Sequence, residues 1–244
     1  MSVNPIFGRL ALITGEEALE KLSRASVLIF GAGGVGSWCA EALVRCGIGK
    51  IGIVDSDTVC ASNINRQLQA TTLTLGLPKA EVLRQRLLQI NPECEIAAFN
   101  QMFCRQTSNI FGIEKHDYII DAIDSLGCKL DLIETACAAS GKFFSSMGMA
   151  RKMDPSRIKI AQIWQTTACP LARLVRQGLR KRGFCGSFTV VYSDEVIPMT
   201  HNQTESGTAA DTGKKTINGS AVTVTAPAGM FLASLVLRDI TGHL

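Results

Sequence analysis

The chain has 244 residues, of which 46% are hydrophobic and 19% are charged, and its formal net charge is +4 at pH 7. This composition supplies a large apolar core and excludes an intrinsically disordered chain. The weak positive charge is compatible with an anionic partner but does not by itself indicate one. The nine cysteines include no C-x-x-C pair, which argues against a zinc site. Their odd number, without a secretory signal, predicts reduced thiols in the cytoplasm.

The predicted elements alternate between strands and helices up to residue 147. Residues 16–23 have the spacing of an amphipathic helix, within an N-terminal helical segment that we place at 1–25. Strands are expected at 27–30, 51–54, 95–99, 118–123 and 143–147, and helices at 35–45, 78–90 and 129–140. This alternation predicts an α/β fold, with a Rossmann-like, doubly wound and mostly parallel sheet over a nucleotide-binding core at 26–147.

The C-terminal part, 148–244, departs from this alternation but is expected to belong to the same single domain. Two additional strands are predicted at 157–163 and 187–193, with a helix at 170–181 between them, and these strands would extend the sheet. Residues 198–220 are polar and predict a loop. Residues 216–237 carry no charge and are long enough to span a membrane, but their polar residues, glycines and proline favour a buried helix at 227–237 and no membrane insertion.

A glycine-rich turn joins the first predicted strand to the helix that follows it. Gly31, Gly33, Gly34 and Gly36 stand where backbone amides can face a nucleotide phosphate at the helix N-terminus. Asp55 ends the second strand, where a carboxylate can bind ribose hydroxyls. These two features fit a dehydrogenase that binds NAD as well as an enzyme that binds ATP.

Polar and cationic residues further along the chain distinguish these alternatives. An enzyme that splits ATP must stabilise charge on the leaving pyrophosphate, which calls for cationic and amide donors and for a carboxylate that holds Mg²⁺. The candidate donors are Asn63, Arg66, Gln67 and Lys79, and the candidate metal ligand is Asp124. Because the strands before these residues end on the ligand-binding side of an open sheet, the pattern favours the splitting of ATP.

The same residues form a motif that resembles the E1-like adenylating superfamily. The motif is Asp55-x-Asp57-x-Val59-x-x-Ser62-Asn63-x-Asn65-Arg66-Gln67, then Gly76-x-Pro78-Lys79, then Asp121-x-x-Asp124. The resemblance implies that Asp55 binds the ribose of ATP and that Asp124 is the catalytic aspartate that holds Mg²⁺. It also implies that the phosphates contact one set of side chains: Ser62, Asn63, Arg66, Gln67 and Lys79. Asp57 and Asn65 are expected in the same ATP-binding set, and Asp121 is either functional or structural.

Arg9 and the absence of zinc cysteines bear on the type of adenylating enzyme. Arg9 is similar in place to a family arginine that reaches the phosphates of a neighbouring subunit, which implies a catalytic role in a homodimer; the alternative is an ordinary surface arginine. The branches that adenylate ubiquitin-like sulfur carriers usually carry two C-x-x-C zinc pairs, and this sequence has none. The chain instead resembles the tRNA threonylcarbamoyladenosine dehydratases, for example at 33–38, 89–94 and 119–125.

That resemblance implies a function and leaves two alternatives. The implied reaction is the ATP- and Mg²⁺-dependent cyclisation of N6-threonylcarbamoyladenosine at position 37 of tRNA, through an acyl adenylate. One alternative is adenylation of the C-terminus of a sulfur-carrier protein, and a related sulfur-transfer protein remains a possible partner. The other is a nucleotide sensor or NAD-binding module without catalytic activity.

The predicted helix at 170–181, with the residue after it, is strongly basic. Its cations are Arg173, Arg176, Arg180, Lys181 and Arg182, with no acidic residue among them. Spacings of three and four place the first three arginines along one helix face, as in a stripe that binds RNA phosphates. The alternative is a solvated helix face. Trp164, before this helix, is predicted to be a core residue, with stacking on an RNA base as the alternative.

Overall fold

The computed structural model describes residues 4–196 and 219–242, and within them one sheet is formed. Its strands are β1 Ser26–Phe30, β2 Lys50–Val54, β3 Glu95–Phe99, β4 Tyr118–Asp121, β5 Lys142–Ser146, β6 Ile158–Gln162 and β7 Thr189–Ser193. They lie in the order β3-β2-β1-β4-β5-β7-β6. Every neighbouring pair is parallel except β6 and β7, which are antiparallel. The predicted fold, a mostly parallel sheet extended by C-terminal strands, is therefore confirmed.

The α-helices agree with the predicted ones except at the two ends of the chain. They are α1 Gly8–Thr14, α2 Glu16–Arg24, α3 Gly36–Arg45, α4 Lys79–Leu88, α5 Leu126–Ala138, α6 Pro170–Lys181 and α7 Val222–Ile240. α1 is a separate helix, because Gly15 turns the chain with a φ of 81° before α2 begins. α7 begins before the predicted residue 227, because Pro227 lies inside the helix without ending it. The predicted loop at 198–220 lies outside the described residues, apart from 219 and 220.

Helices cover both faces of the sheet. Ile29 of β1 belongs to a core that includes α3, α4 and α7, whereas the next residue, Phe30, belongs to a core with α5 and α6. Successive side chains of a strand point to opposite faces, so β1 contributes to both cores. This burial on two faces explains the continuous apolar run of the strand.

α7 packs across α3 on the first of these faces. By length and composition Val222–Ile240 could cross a membrane, but much of its apolar surface is buried in the protein core. Gly229 permits this packing, because a Cβ at that position would stand 2.4 Å from the carbonyl oxygen of Val35. α7 is thus packed as a core helix, as its sequence predicts.

The strand order defines the edge of the sheet at which a ligand can bind. β1 lies between β2 and β4. The chain continues from β1 into α3 on one face of the sheet, and from β4 into α5 on the other face. In open α/β sheets, ligands bind at such a switch point, beyond the carboxyl ends of the strands. The glycine turn, Asp55 and the loop that carries Asp124 follow these three strands.

Candidate active site

The glycine turn after β1 is closed tightly on one side and open on the other. Gly31 has a φ of 94°, and a Cβ there would stand 2.7 Å from the carbonyl oxygen of Ala122. A Cβ on Gly36 would stand 1.8 Å from the carbonyl oxygen of Gly31, so glycine is required at both positions. Gly33 faces open space, because only the Gln67 amide comes within 4.0 Å of such a Cβ. The turn therefore leaves one face of its backbone accessible to a ligand.

Asp55 lies beside this turn, as its sequence position predicts. Its Oδ2 accepts a hydrogen bond from the backbone N–H of Ala32 at 2.7 Å, and its Oδ1 accepts one from Asp57 at 2.8 Å. Burial raises the pKa of Asp55 above its usual value, and these N–H donors and the nearby charge of Lys79 oppose the rise. Each carboxylate oxygen has a remaining lone pair, which can accept a ribose hydroxyl.

The loop after β2 is fastened to the glycine turn and α3 by side chains that the sequence analysis does not assign to the site. The hydrogen bonds are Trp38 Nε1 to Arg66 O (3.0 Å), Leu68 N to Ser37 Oγ (3.2 Å) and Gln69 Nε2 to Ala32 O (2.7 Å). The only sequence signal for two of the side chains was their place directly after Gly36. Together they hold residues 61–69 against the glycine turn and the start of α3.

Arg66 lies over Gly34 and is held by its own loop. Its Nη1 donates to the carbonyl oxygen of Ser62 at 2.8 Å and to Asn65 Oδ1 at 2.9 Å. Asn65 also donates from Nδ2 to the carbonyl oxygen of Ser220 at 2.8 Å, just before α7. Asn65 thus positions Arg66 and ties it to the C-terminal segment. The remaining guanidinium N–H groups have no partner in the described part of the chain and are available to an anion.

Lys79 and Asp57 form an ion pair at the start of α4. The Lys79 side chain is only 7% exposed, and its Nζ lies 2.7 Å from Asp57 Oδ2. The backbone N–H of Lys79 also donates to the carbonyl oxygen of Asp57 at 3.0 Å. The structure therefore gives Asp57 a role in holding Lys79, and its predicted contact with ATP stays a prediction. For Lys79 to bind a phosphate, this ion pair must be shared or broken.

Two glutamines and Asn63 line the buried side of the same loop. Gln67 Oε1 and Gln69 Oε1 are buried and have no hydrogen-bond partner among the described residues. Asn63 is also buried, and its Oδ1 accepts from the N–H of Cys60 at 3.1 Å. An unpaired buried polar atom costs about 1–3 kcal/mol. These two glutamine oxygens can therefore accept hydrogen bonds from a ligand or from water.

Asp121 and Asp124 occupy opposite environments. Asp121 is fully buried and lies 2.7 Å from Lys129 Nζ, which is also fully buried. Ser145 Oγ donates to the same carboxylate at 2.6 Å. Asp124 is exposed in the loop between β4 and α5 and has no hydrogen bond or ion pair within the described ranges. Of the two readings left open for Asp121, the contacts support the structural one.

The buried pair fixes the loop that carries Asp124. Asp121 Oδ1 accepts from the N–H of Ile123 at 3.0 Å, and Lys129 Nζ donates to the carbonyl oxygen of Ile123 at 2.8 Å. The backbone N–H and C=O of Ile123, the residue before Asp124, are therefore both held by the buried Asp121–Lys129 pair. Lys129 is missed by the sequence analysis, since a single cation in an apolar helix gives no signal of its partner.

Arg9 lies far from the glycine turn of its own chain. Arg9 is exposed on α1. The ring of nearby Phe7 packs against Gly47, since a Cβ built on that glycine would stand 3.5 Å from the ring. Gly47 follows the C-terminal end of α3, whose N-terminal end forms part of the turn. A helix of this length spans about 15 Å. Arg9 therefore does not join the site of its own chain.

Comparison with known proteins identifies the family. The family model of the ThiF family matches residues 7–243. This chain belongs to the ThiF family. The tRNA threonylcarbamoyladenosine dehydratase of Bacillus subtilis is 37% identical over 238 residues, which cover 96% of this chain and 94% of that relative. The predicted resemblance is thus confirmed.

Solved and curated ThiF-family relatives differ in how much of this chain they match. The structure of Escherichia coli tRNA N6-threonylcarbamoyladenosine dehydratase, TcdA, in complex with ATP has a TM-score of 0.86 at 31% identity, with 99% of this chain and 98% of that chain covered. The sulfur carrier protein adenylyltransferase of Thermus thermophilus is 35% identical, but the match covers 52% of this chain and 46% of that relative. The similarity to dehydratases therefore includes the C-terminal part, where α6 and α7 lie.

α6 gives this ThiF-family protein a second polar surface. Its apolar residues Ala172, Val175 and Leu179 are buried, so the opposite face is exposed. Two of its predicted RNA-binding cations already have partners within the protein. Arg176 donates to Thr166 Oγ1, and Arg182 lies beside two carboxylates of α5, at 2.7 Å from Asp131 and 3.0 Å from Glu134. No acidic residue lies among these cations in the sequence, but the fold brings α5 against the end of α6 and so pairs Arg182, whose predicted contact with RNA stays a prediction.

The other three cations of this surface are exposed. Arg173 and Lys181 have no ion pair within residues 4–196 and 219–242, and Arg180 lies over the ring of Trp164. The exposed cations therefore lie toward the two ends of α6 rather than along its whole length.

Proposed function

We propose that this protein is a cytoplasmic, ATP-dependent tRNA threonylcarbamoyladenosine dehydratase. The observation that carries the proposal is the similarity to such dehydratases over 96% of this chain, against 52% for the sulfur-carrier enzyme. The polar groups that meet at the carboxyl edge of the sheet support it. The main alternative, adenylation of a sulfur-carrier protein, would use the same ATP site.

The reaction needs no nucleophile from the protein. The carboxylate of the threonine moiety attacks the α-phosphorus of ATP, the bond to the β-phosphate breaks, and pyrophosphate leaves. The neighbouring carbamoyl group of the same base then attacks the activated carbonyl carbon, the ring closes and AMP leaves. One water is lost from the base in total. Because the substrate supplies both reacting groups, the task of the protein is to hold them at high effective concentration.

The residues of the candidate site fit the charges of this reaction. The accessible face of the glycine turn and Asp55 would hold the phosphates and the ribose of ATP. Arg66 and Lys79 would stabilise the negative charge that develops on pyrophosphate as it leaves. Lys79 would exchange Asp57 for a phosphate, and Arg66 would use its unpaired N–H groups. Both side chains are already positioned by hydrogen bonds from their own loops.

Asp124 fits a magnesium ion that is shared with ATP. No group of three or more histidine, cysteine or acidic residues that could hold a metal occurs in the described part of the protein. Mg²⁺ commonly binds one or two carboxylates together with the phosphates of its substrate, so Asp124, exposed and without a partner among the described residues, would be enough to hold it. When bound, the ion neutralises charge on the phosphates. The buried Asp121–Lys129 pair keeps Asp124 in place for this contact.

A second copy of the chain would complete the site with Arg9. Leu12 and Ile13, on the same helix as Arg9, are 87% and 81% exposed, and Ile6 just before it is 50% exposed. Exposed apolar side chains clustered in this way mark an interaction surface. In a twofold dimer that covers these side chains, each Arg9 would lie near the phosphates of the ATP bound by the other subunit. The resemblance to sulfur-carrier enzymes also implies a sulfur-transfer protein as a further partner.

Mass spectrometry of nucleosides tests the proposed reaction. tRNA bearing threonylcarbamoyladenosine is incubated with the protein, ATP and Mg²⁺, and its nucleosides are analysed together with the nucleotides released. We expect the modified base to lose the mass of one water while AMP forms, and neither change without ATP. An unchanged base would contradict the proposal. ATP–pyrophosphate exchange that requires a ubiquitin-like carrier would then support the alternative.

The proposed dimer predicts that two inactive variants complement each other. When Arg9→Ala and Asp124→Ala subunits are co-expressed, mixed dimers should regain activity, because one of their two sites then has both residues. Random pairing gives about a quarter of the wild-type rate if Arg9 acts across a twofold interface. The control is a mixture of Asp124→Ala and Lys79→Ala subunits, which should stay inactive because both residues act within one chain. Full activity of the Arg9→Ala variant alone would contradict the prediction.

A further inference from the structure

The aromatic ring of Trp164 is fixed beneath an arginine at the surface. Its Nε1 donates to the carbonyl oxygen of Gly186 at 2.9 Å, and the ring packs against the core beneath α6. The guanidinium carbon of Arg180 lies 5.3 Å from the ring centre. As predicted, the ring of Trp164 packs against the core, and the guanidinium of Arg180 in addition covers part of the ring. We call these two residues the Trp164–Arg180 pair.

The Trp164–Arg180 pair lies far from the ATP-binding edge of the sheet. α6 begins beside Gly148, because a Cβ built on that glycine would stand 3.2 Å from the side chain of Leu171. Gly148 in turn follows the carboxyl end of β5. Arg180 comes ten residues after the start of the helix, which corresponds to about 15 Å along its axis. Trp164 follows the antiparallel strand β6, which ends at the opposite edge. A single nucleotide bound at the active site cannot reach this pair.

The charge around the pair favours an anionic polymer. Arg180 is exposed and has no carboxylate partner within the described residues, and neither do Arg173 and Lys181 on the same helix. The neighbouring Arg182, in contrast, is neutralised by α5. Arg173 lies toward the active-site end of α6, so an extended ligand could follow the helix from one end to the other.

We propose that the Trp164–Arg180 pair is a stacking site for an unpaired base of the RNA substrate, separate from the pocket for the modified base. The inference rests on the proposed tRNA substrate. Proteins bind unpaired bases by stacking them on aromatic rings and on guanidinium planes. Here Arg180 contacts the base, and Trp164 is a positioning residue that holds the guanidinium. Position 37 lies in a loop whose other bases are unpaired, so one of them can reach the far end of α6.

Arg180→Lys separates stacking from charge. Lysine keeps the positive charge but has no planar group, so the variant should bind tRNA about tenfold more weakly with an unchanged dependence on salt. Trp164→Leu should weaken binding to a similar extent, whereas Trp164→Phe keeps an aromatic surface and should bind much as the wild type does. The dissociation constants are measured at several salt concentrations. Because Arg180 is exposed, its replacement leaves the fold intact even if Trp164→Leu does not.

The outcomes distinguish this inference from the proposed function. If wild-type protein binds and dehydrates tRNA but Arg180→Lys binds it equally well, the stacking site is overturned and the proposed function stands. If wild-type protein does not bind tRNA at all, both are overturned.

Discussion

Asp124→Asn should lower ATP-dependent turnover by at least about a hundredfold while ATP binding is largely preserved. The side chains have the same shape, but asparagine lacks the charge that would hold Mg²⁺ as charge develops on the phosphates. Losing one such transition-state interaction commonly costs about a hundred- to a thousandfold in rate. AMP formation and ATP affinity are measured separately. Because Asp124 is exposed and has no partner in the described residues, stability should not change.

The control for this variant is Glu16→Gln, which removes an exposed carboxylate at the start of α2, outside the candidate site. It should keep wild-type turnover. If Asp124→Asn retained turnover with an unaltered dependence on Mg²⁺, the catalytic assignment of Asp124 would be wrong. Weaker ATP binding together with lower turnover would instead point to a role in binding.

Lys129→Met should destabilise the protein by about 3–5 kcal/mol, because it leaves Asp121 buried as an unpaired charge. Asp121 and Lys129 are both fully buried, so solvent cannot replace the lost partner. The free energy of unfolding is measured in urea. The matched variant is the double substitution Asp121→Asn with Lys129→Met, which removes both charges and should recover most of the stability.

Turnover of that double variant tests whether the pair positions Asp124. The donor to the carbonyl oxygen of Ile123 is still missing, so AMP formation should remain low although the protein is folded. Recovery of both stability and turnover would show that the pair serves the fold alone. Arg105→Ala, which removes an exposed ion pair with Glu134 on the surface, should change stability by less than about 1 kcal/mol.

The sequence predicts the sheet well, and it predicts which strand ends the candidate site follows, because both depend on local patterns. Apolar runs such as Val27–Phe30 are buried on two faces and read as strands, and Gly31 and Asp55 follow strands that become neighbours. Relations between distant segments are not encoded locally. Nothing in the sequence indicates that Lys129 pairs with Asp121 or that α5 neutralises Arg182, because each contact depends on how a helix packs.

The local sequence also does not predict where α7 begins or where Arg9 lies, and the physical reasons differ. Proline usually ends helices, yet Pro227 is accommodated inside one that packs along α3. Arg9 carries no signal of where its helix docks, and only the contact between Phe7 and Gly47 places it away from the turn. The paired Lys79 and Asp57 were each predicted to bind ATP, but their contact with one another follows from the chain bending back between them.

The hydrogen bonds of Ser37, Trp38 and Gln69 join the loop at 61–69 to the glycine turn and α3, and this has an energetic consequence for nucleotide binding. A loop that is already ordered loses little conformational entropy when its ligand arrives, and more of the contact energy appears as affinity. The amide proton of Leu68, which Ser37 accepts, should therefore exchange slowly with solvent before any nucleotide is added. The protein thus meets part of the entropic cost of binding while it folds, and the proposed contact with ATP would require the exchange of Lys79 from carboxylate to phosphate.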